Sequence, residues 1–354
     1  MMHNSAIKSD KFVFVITACI SVPLILISTL ISVVQYVSYN GFFLSLIYSY
    51  SRDNLAQISY NADYMLESAN TIAEQIFFDA TVNKLIYASE ISDLERIGAI
   101  NQFNNYVRAA NFLESVYIYN PANNTVYYAV SNLGGGVQSV DGFYDEGILK
   151  YLSKNKYLDS SITARTTGRS SKYSTVGGKK VYTIALVDNR YNSSAPDCEI
   201  ILNISADWLY RSIRSLDKSP QSTTFIIDSK GKVVTDNSAF QFESDISGKA
   251  FIRYILNSGS DSGYFIEDVN GLKSFITFAS SDKTKWKYIR ITPYAAILSN
   301  LNNTRMTSLF AYTGLILTGI ISSVIVSKKL YKPYHSLSDK VLKLEKQNRN
   351  SFYY

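Results

Sequence analysis

Phe225-Ile226-Ile227-Asp228-Ser229-Lys230-Gly231-Lys232-Val233-Val234 reads as a strand, a tight turn and a second strand. Aromatic and β-branched residues suit a pleated, half-buried surface, Asp228 can bond its own backbone in the turn, and Gly231 tolerates positive φ. Downstream, the spacing predicts a helix over Gly248 to Leu256 and strands at Gly263 to Glu267, Lys273 to Phe278 and Trp286 to Ile291. Upstream, the same order occurs once before. Val116-Tyr117-Ile118-Tyr119, the turn Asn120-Pro121-Ala122-Asn123-Asn124 and Val126-Tyr127-Tyr128-Ala129-Val130 form strand, turn and strand. A glycine loop at Gly134 to Gly136, a short amphipathic helix over Asp145 to Leu152, a polar loop, and strands over Lys180 to Val187 and Glu199 to Ile204 follow. The pattern is that of an internal duplication, with modules at about 80–205 and 220–292.

The endings of the two modules match. Ile200-Ile201-Leu202-Asn203-Ile204-Ser205 runs into Ala206-Asp207-Trp208, and Tyr288-Ile289-Arg290-Ile291-Thr292 runs into Pro293-Tyr294. Ser205 and Thr292 stand where helix N-caps belong, and Pro293 at a first helical position loses nothing by lacking an N–H. The second exit helix leads into an apolar run, so Thr292 and Pro293 are placed to pass a shift of the last strand onward.

Two apolar runs bracket the modules, at 12–37 and 306–327. Each is long enough to cross a bilayer, since ~20 residues at ~1.5 Å each cover a core of ~30 Å. Lys8 and Lys11 precede the first, and Lys328, Lys329 and Lys332 follow the second. The positive-inside rule then puts the tail 1–11 and the segment 328–354 in the cytoplasm and 38–300 outside, in a cell membrane. The first run is long, contains Pro23 and lacks a small-residue cleavage site, which suits an uncleaved anchor. After it, Leu44, Tyr48, Ser51, Leu55, Ile58, Ala62, Met65, Ala69, Ile72 and Ile76 step by four and three. Such a stripe predicts a long stalk helix, packed either along its own domain or against a second copy as a homodimer seam. A second helical stretch is expected from Asp93 to Glu114.

A stalk, two successive PAS-like modules and a final helix entering a second span resemble the extracytoplasmic double Cache region of bacterial sensors. The Phe225 to Val234 hairpin is the most telling local match. The resemblance implies an α/β (α+β) fold flanked by two transmembrane helices, and a small extracellular ligand bound by the distal module. Members with amino-acid ligands carry Arg-x-Trp-Tyr there, whereas Arg165 and Arg169 are followed here by Thr166 and Ser170. Leu330-Tyr331-Lys332-Pro333-Tyr334-His335-Ser336-Leu337 resembles the start of a HAMP linker, with Pro333 and Leu337 in the transmitting positions and only the first of its two helices present. This layout resembles Gram-positive membrane receptors that are AraC-type transcriptional regulators or sensor histidine kinases, the Leu-Tyr-Lys-Pro wording being closer to the former. An output-less module that dimerises with full receptors is the rival reading.

Composition narrows the chemistry. The 354 residues are 46% hydrophobic and 18% charged, with a formal net charge of +6 spread among acidic residues, so no nucleic-acid surface is expected. Cys19 lies in the first apolar run and Cys198 alone lies outside, leaving no intrachain disulfide there. The only histidines, His3 and His335, fall on the cytoplasmic side, which removes a Ser-His-Asp triad or histidine-bound zinc from the exported part. Asp141, Asp145 and Glu146 read as helix-start acids, and Gly134 to Gly136 lacks the Lys-Ser/Thr of a phosphate loop. No catalytic residue, metal site or cofactor is expected. Tyrosine is abundant, at 28 residues, and its rings with polar tips suit sugars or other small polar ligands. Candidate pocket residues are Tyr128, Arg165, Tyr173, Tyr182 and Asp188.

Overall fold

The computed structural model describes residues 2–148, 162–168, 178–188, 198–217, 219, 221–235, 237 and 239–351. Helix and strand mix in two units, one running from Tyr48 to Tyr294 and the other made of Met1–Ile47 with Ala295–Tyr354.

In the first unit, helix α1 (Met2–Phe78) supplies the stalk. Leu55, Ile58, Ala62, Met65, Ala69 and Ile76 are all buried in the core of this same chain. The four-and-three stripe is therefore a core-facing stripe, and these residues are not a seam for a second copy. Helix α2 (Asn83–Tyr87) and helix α3 (Asp93–Ala109) follow. Ser92 caps α3: its Oγ accepts from Glu95 N and donates to Glu95 Oε2 at 2.7 Å. The helix stops at Ala109, short of the expected Glu114, because β1 (Leu113–Asn120) already begins there.

A six-stranded antiparallel sheet is built from β1, β2 (Thr125–Val130), β3 (Gly134–Ser139), β4 (Thr163–Thr166), β5 (Lys180–Asp188) and β6 (Cys198–Ser205), in the order β3-β2-β1-β6-β5-β4. Two of these strands replace expected loops. The glycines at 134–136 pair with Tyr128 to Val130, where a side chain on Gly136 would strike the Tyr128 ring, and β4 lies inside the polar stretch. Between Leu113 and Ser115 a bulge shifts the register, turning Leu113 to one face and Ser115 to the other. Helix α4 (Ala206–Leu216) leaves the sheet after Ser205, which occupies the N-cap position without a side-chain cap bond.

The second sheet has β7 (Thr223–Ile227), then helix α5 (Ala250–Asn257), β8 (Ser262–Val269), β9 (Leu272–Ser280) and β10 (Lys287–Pro293), in the order β7-β10-β9-β8. In both sheets the last strand lies between the first and the penultimate one, so the two topologies coincide. After β7 the turn is held by Asp228 Oδ1, which accepts from Lys230 N and Lys232 N at 2.8 and 2.9 Å. Gly231 has φ 85°, and a Cβ there would sit 2.8 Å from that of Ser247. The return arm is only two isolated bridges, Ile227 to Val233 and Lys232 to Asp245, instead of a full strand. Helix α6 (Tyr294–Ser351) starts one residue later than expected: Pro293 ends β10, and Thr292 Oγ1 shares a 2.9 Å hydrogen bond with Ser222 Oγ instead of capping the helix.

The other unit pairs the first part of α1 with α6. Thr17–Val34 and Met306–Lys329 are each long and apolar enough to cross a membrane. Phe14, Leu26, Leu30, Phe310, Leu315 and Ile321 on these helices are exposed. Where the helices meet, small residues allow close approach: Gly319 lies against Leu24, Thr17 Oγ1 donates to Ser327 Oγ at 3.1 Å, and Ser323 and Ser327 are buried. Pro333 and Leu337 fall within α6, with side chains outside the described residues.

Candidate functional site

Alternation along the strands decides which side chains share a face. One face of the six-stranded sheet carries Ser115 and Tyr117 of β1, Tyr128 of β2, Arg165 of β4, Thr183 of β5 and Ile201 and Asn203 of β6. Phe143, Tyr144 and Ile148 close over it, the two aromatic rings meeting Tyr117 and Tyr128 edge-on or tilted with centroids 5.0 to 6.0 Å apart.

At its centre lies a buried charge pair. Arg165 donates from both terminal nitrogens to Asp145, at 2.9 and 2.7 Å, and the Asp145 side chain is 0% exposed. Arg165 Nε also donates to Thr183 Oγ1 at 2.7 Å, and a terminal nitrogen to Asn203 Oδ1 at 3.0 Å. Thr183 donates onward to Asn203 Oδ1, and Asn203 Nδ2 to Ser115 Oγ. Asp145 further accepts from Gly168 N at 2.8 Å and Tyr117 OH at 3.2 Å, while Tyr144 OH donates to Tyr117 OH. Burial alone would lower the Arg165 pKa, but the hydrogen bonds and charge of Asp145 outweigh it and hold it above its ordinary value. Burial, reinforced by the Asp145 charge, pushes the Tyr117 and Tyr144 hydroxyls up, so both stay protonated donors. The result is a buried polar network whose members satisfy one another and fix β1, β4, β5 and β6 against the 143–148 segment.

The structure brings Arg165 and Tyr128 together on this face and separates Tyr182 from them. Next to Thr183 in the strand, Tyr182 points to the opposite face. There it is fully buried between the two sheets, donating to Val234 O at 2.7 Å and lying 5.1 Å from the Trp286 ring. Tyr182 is thus a joint between modules. Tyr173 lies outside the described residues, and Asp188 ends β5 opposite Cys198 with its side chain outside them. Asp145, Tyr117, Thr183 and Asn203 were missed from sequence. Thr183 and Asn203 did leave a signal, since a polar residue inside an apolar interior strand must find a partner; Asp145 passed for a helix-start acid.

A second buried pair joins the two modules. Arg290 of β10 meets Asp217, the residue after α4, at 2.9 Å, with side chains 4% and 7% exposed. Thr224 of β7 donates to the same carboxylate, and the Arg290 guanidinium carbon lies 5.6 Å from the Tyr50 ring of α1. The exit helix of the distal module, the stalk and the strand preceding α6 all converge on this pair.

No family model matches the chain, and no curated protein matches it. Solved structures do. The extracellular domain of the putative histidine kinase vpHK1S-Z8 is similar at a TM-score of 0.54 and 12% identity, covering 73% of this chain and 98% of that one. A domain of a putative sensory box/GGDEF family protein from Vibrio parahaemolyticus is similar at 0.52 and 12%, covering 72% and 99%. The shared feature is the fold.

Proposed function

We propose that this chain is a membrane signal receptor that binds a small ligand outside the cell and passes a shift through its second span. The observation that carries this reading is the path of the chain: a two-module sensory fold whose final strand, β10, runs without a spacer into the apolar helix α6. The ligand docks over the Arg165–Asp145 floor of the distal module. Altered packing there reaches α4, then Asp217, Arg290 and β10. A coupling of about 1–3 kcal/mol between ligand and helix states suffices. Both termini lie in the cytoplasm, by the lysines flanking the spans. The wording of the linker favours an AraC-type transcriptional output. A kinase output is the second reading, because the fold neighbour vpHK1S-Z8 is described as a putative histidine kinase. The receptor works as a homodimer, and pairing of stalks uses the outer face of α1, where Tyr60 and Tyr64 are exposed.

The test uses the full chain in lipid nanodiscs, screened by thermal shift against the twenty amino acids, short mono- and dicarboxylates, and neutral hexoses. For each hit, the distance between spin labels at Thr17→Cys and Ser327→Cys is measured in a background in which Cys19 and Cys198 are both replaced by Ser. A compound that raises the melting temperature and changes that distance supports the proposal. Hits that leave the distance unchanged refute transmission through the second span.

A further inference from the structure

The distal floor is built of groups that satisfy one another. A groove in the second sheet's module is different. It has a volume of about 640 Å³, within the range of small-molecule sites, and runs between α5 and the edge strand β8. Helix α5 buries Phe251, Ile252 and Ile255 in the module's core. Its 3.6-residue period then places Ala250, Arg253, Tyr254 and Asn257 together on the groove side. From β8 come Ser262 and Tyr264, and Phe278 of β9 forms the floor. Gly263 pairs with Phe278, and a Cβ there would come within 3.0 Å of the ring, so the glycine is what lets Phe278 lie across the strand.

Both tyrosine rings are held in place while their hydroxyls stay uncommitted. Tyr254 packs on Phe265 with ring centroids 4.5 Å apart and is still 55% exposed, whereas Tyr264, paired with Thr277, turns its ring to the opposite face of the sheet, between Phe275 and Tyr48 at 5.1 and 4.7 Å. Among the described residues, the Arg253 guanidinium makes no ion pair or hydrogen bond, and neither do the side-chain polar groups of Tyr254, Asn257, Ser262 and Tyr264. An unpaired cation, one anchored aromatic face and a free amide thus share the groove side of α5. Aromatic faces take the C–H face of a sugar ring, hydroxyl and amide groups take its hydroxyls, and an unpaired guanidinium takes a carboxylate in a bidentate fork.

We infer that this groove is a second ligand site, separate from the distal one, for a sugar acid: a polyhydroxylated ring bearing one carboxylate. Its occupant touches α5 and the β8–β9 hairpin, beside the strand that leads into α6.

The experiment is calorimetric titration of the full chain in nanodiscs with D-galacturonate and D-glucuronate, and with D-galactose as the neutral comparator. Binding of at least one uronate is expected. It should weaken at least tenfold in Arg253→Ala and recover in part in Arg253→Lys, while any galactose binding stays unchanged. Tyr254→Ala should weaken acid and neutral sugar alike. Arg253 is on the surface, so its variants should melt like the parent when no sugar is present. Failure of both uronates to bind, or equal binding by the parent, Arg253→Ala and Tyr254→Ala, overturns the inference. Because Arg253 is remote from the Arg165–Asp145 floor, these outcomes leave the distal reading to its own test.

Discussion

Replacing Asp217 with Ala strands a buried cation, and the structure sets the scale of the damage. Arg290 is only 4% exposed, one terminal nitrogen is bonded to Asp217, and its Nε and other terminal nitrogen have no acceptor. Among the described residues the carboxylate is the single counter-charge paired with this buried guanidinium. Breaking a buried pair in this way costs about 3–5 kcal/mol, whereas replacing both partners with apolar residues is often close to neutral. For a unit the size of Tyr48 to Tyr294, 1 kcal/mol moves the melting temperature by about 2–4 °C, so Asp217→Ala should lower it by about 6–20 °C. The assay is intrinsic fluorescence melting of the full chain in nanodiscs, reporting through Trp208 and the buried Trp286. Asp217→Leu combined with Arg290→Met should restore most of the loss. A single-variant shift below about 2 °C, or a double variant no better than the single, would show that the pair does not hold the modules together.

The same melting assay run against pH should separate two aspartates of opposite sign. Burial raises the Asp63 pKa above its unfolded 3.8, with Ser281 and Lys283 opposing, so its contribution to stability falls as pH rises through the window just above that value. Asp63→Asn should remove this slope and be at least as stable as the parent at pH 7; a less stable variant there would contradict the assignment. At Asp79 burial is outweighed by bonds from Val82 N, Tyr106, Gln102 and Thr81, which lower the pKa, so its stabilisation is present above 3.8 and lost on acidification below it. In the membrane-spanning pair, a Cβ on Gly319 would lie 3.1 Å from Leu24 Cδ1. Gly319→Leu should therefore cut disulfide formation between Thr17→Cys and Ser327→Cys severalfold, and an unchanged yield would rule out the close approach of the two helices.

Periodicity exposed the elements whose burial is one-sided and continuous. The stalk stripe from Leu55 to Ile76, the Val116–Tyr119 and Ile200–Ile204 strands, and the Phe225–Ile227 strand could each be read because apolar residues repeat at the period of the element they form. Elements with weak repeats escaped. The glycines of β3 and the polar β4 were mistaken for loops, since both strands owe their existence to neighbours that supply hydrogen bonds and not to their own side chains.

The candidate site divides along the same line. The linear chain determined that two modules of one kind lie between two apolar helices, that Arg165 is a candidate pocket residue of the distal module, and that β10 feeds directly into α6. Local chemistry suffices for these, because hydrophobic period, turn residues and chain order act on near neighbours. Only the tertiary structure decided that Asp145 pairs with Arg165, that Tyr182 turns away to join the modules, and that Asp217 meets Arg290. Each depends on strand register, where a shift of one residue exchanges the faces of a sheet, and on charges brought out of water by segments far apart in the chain.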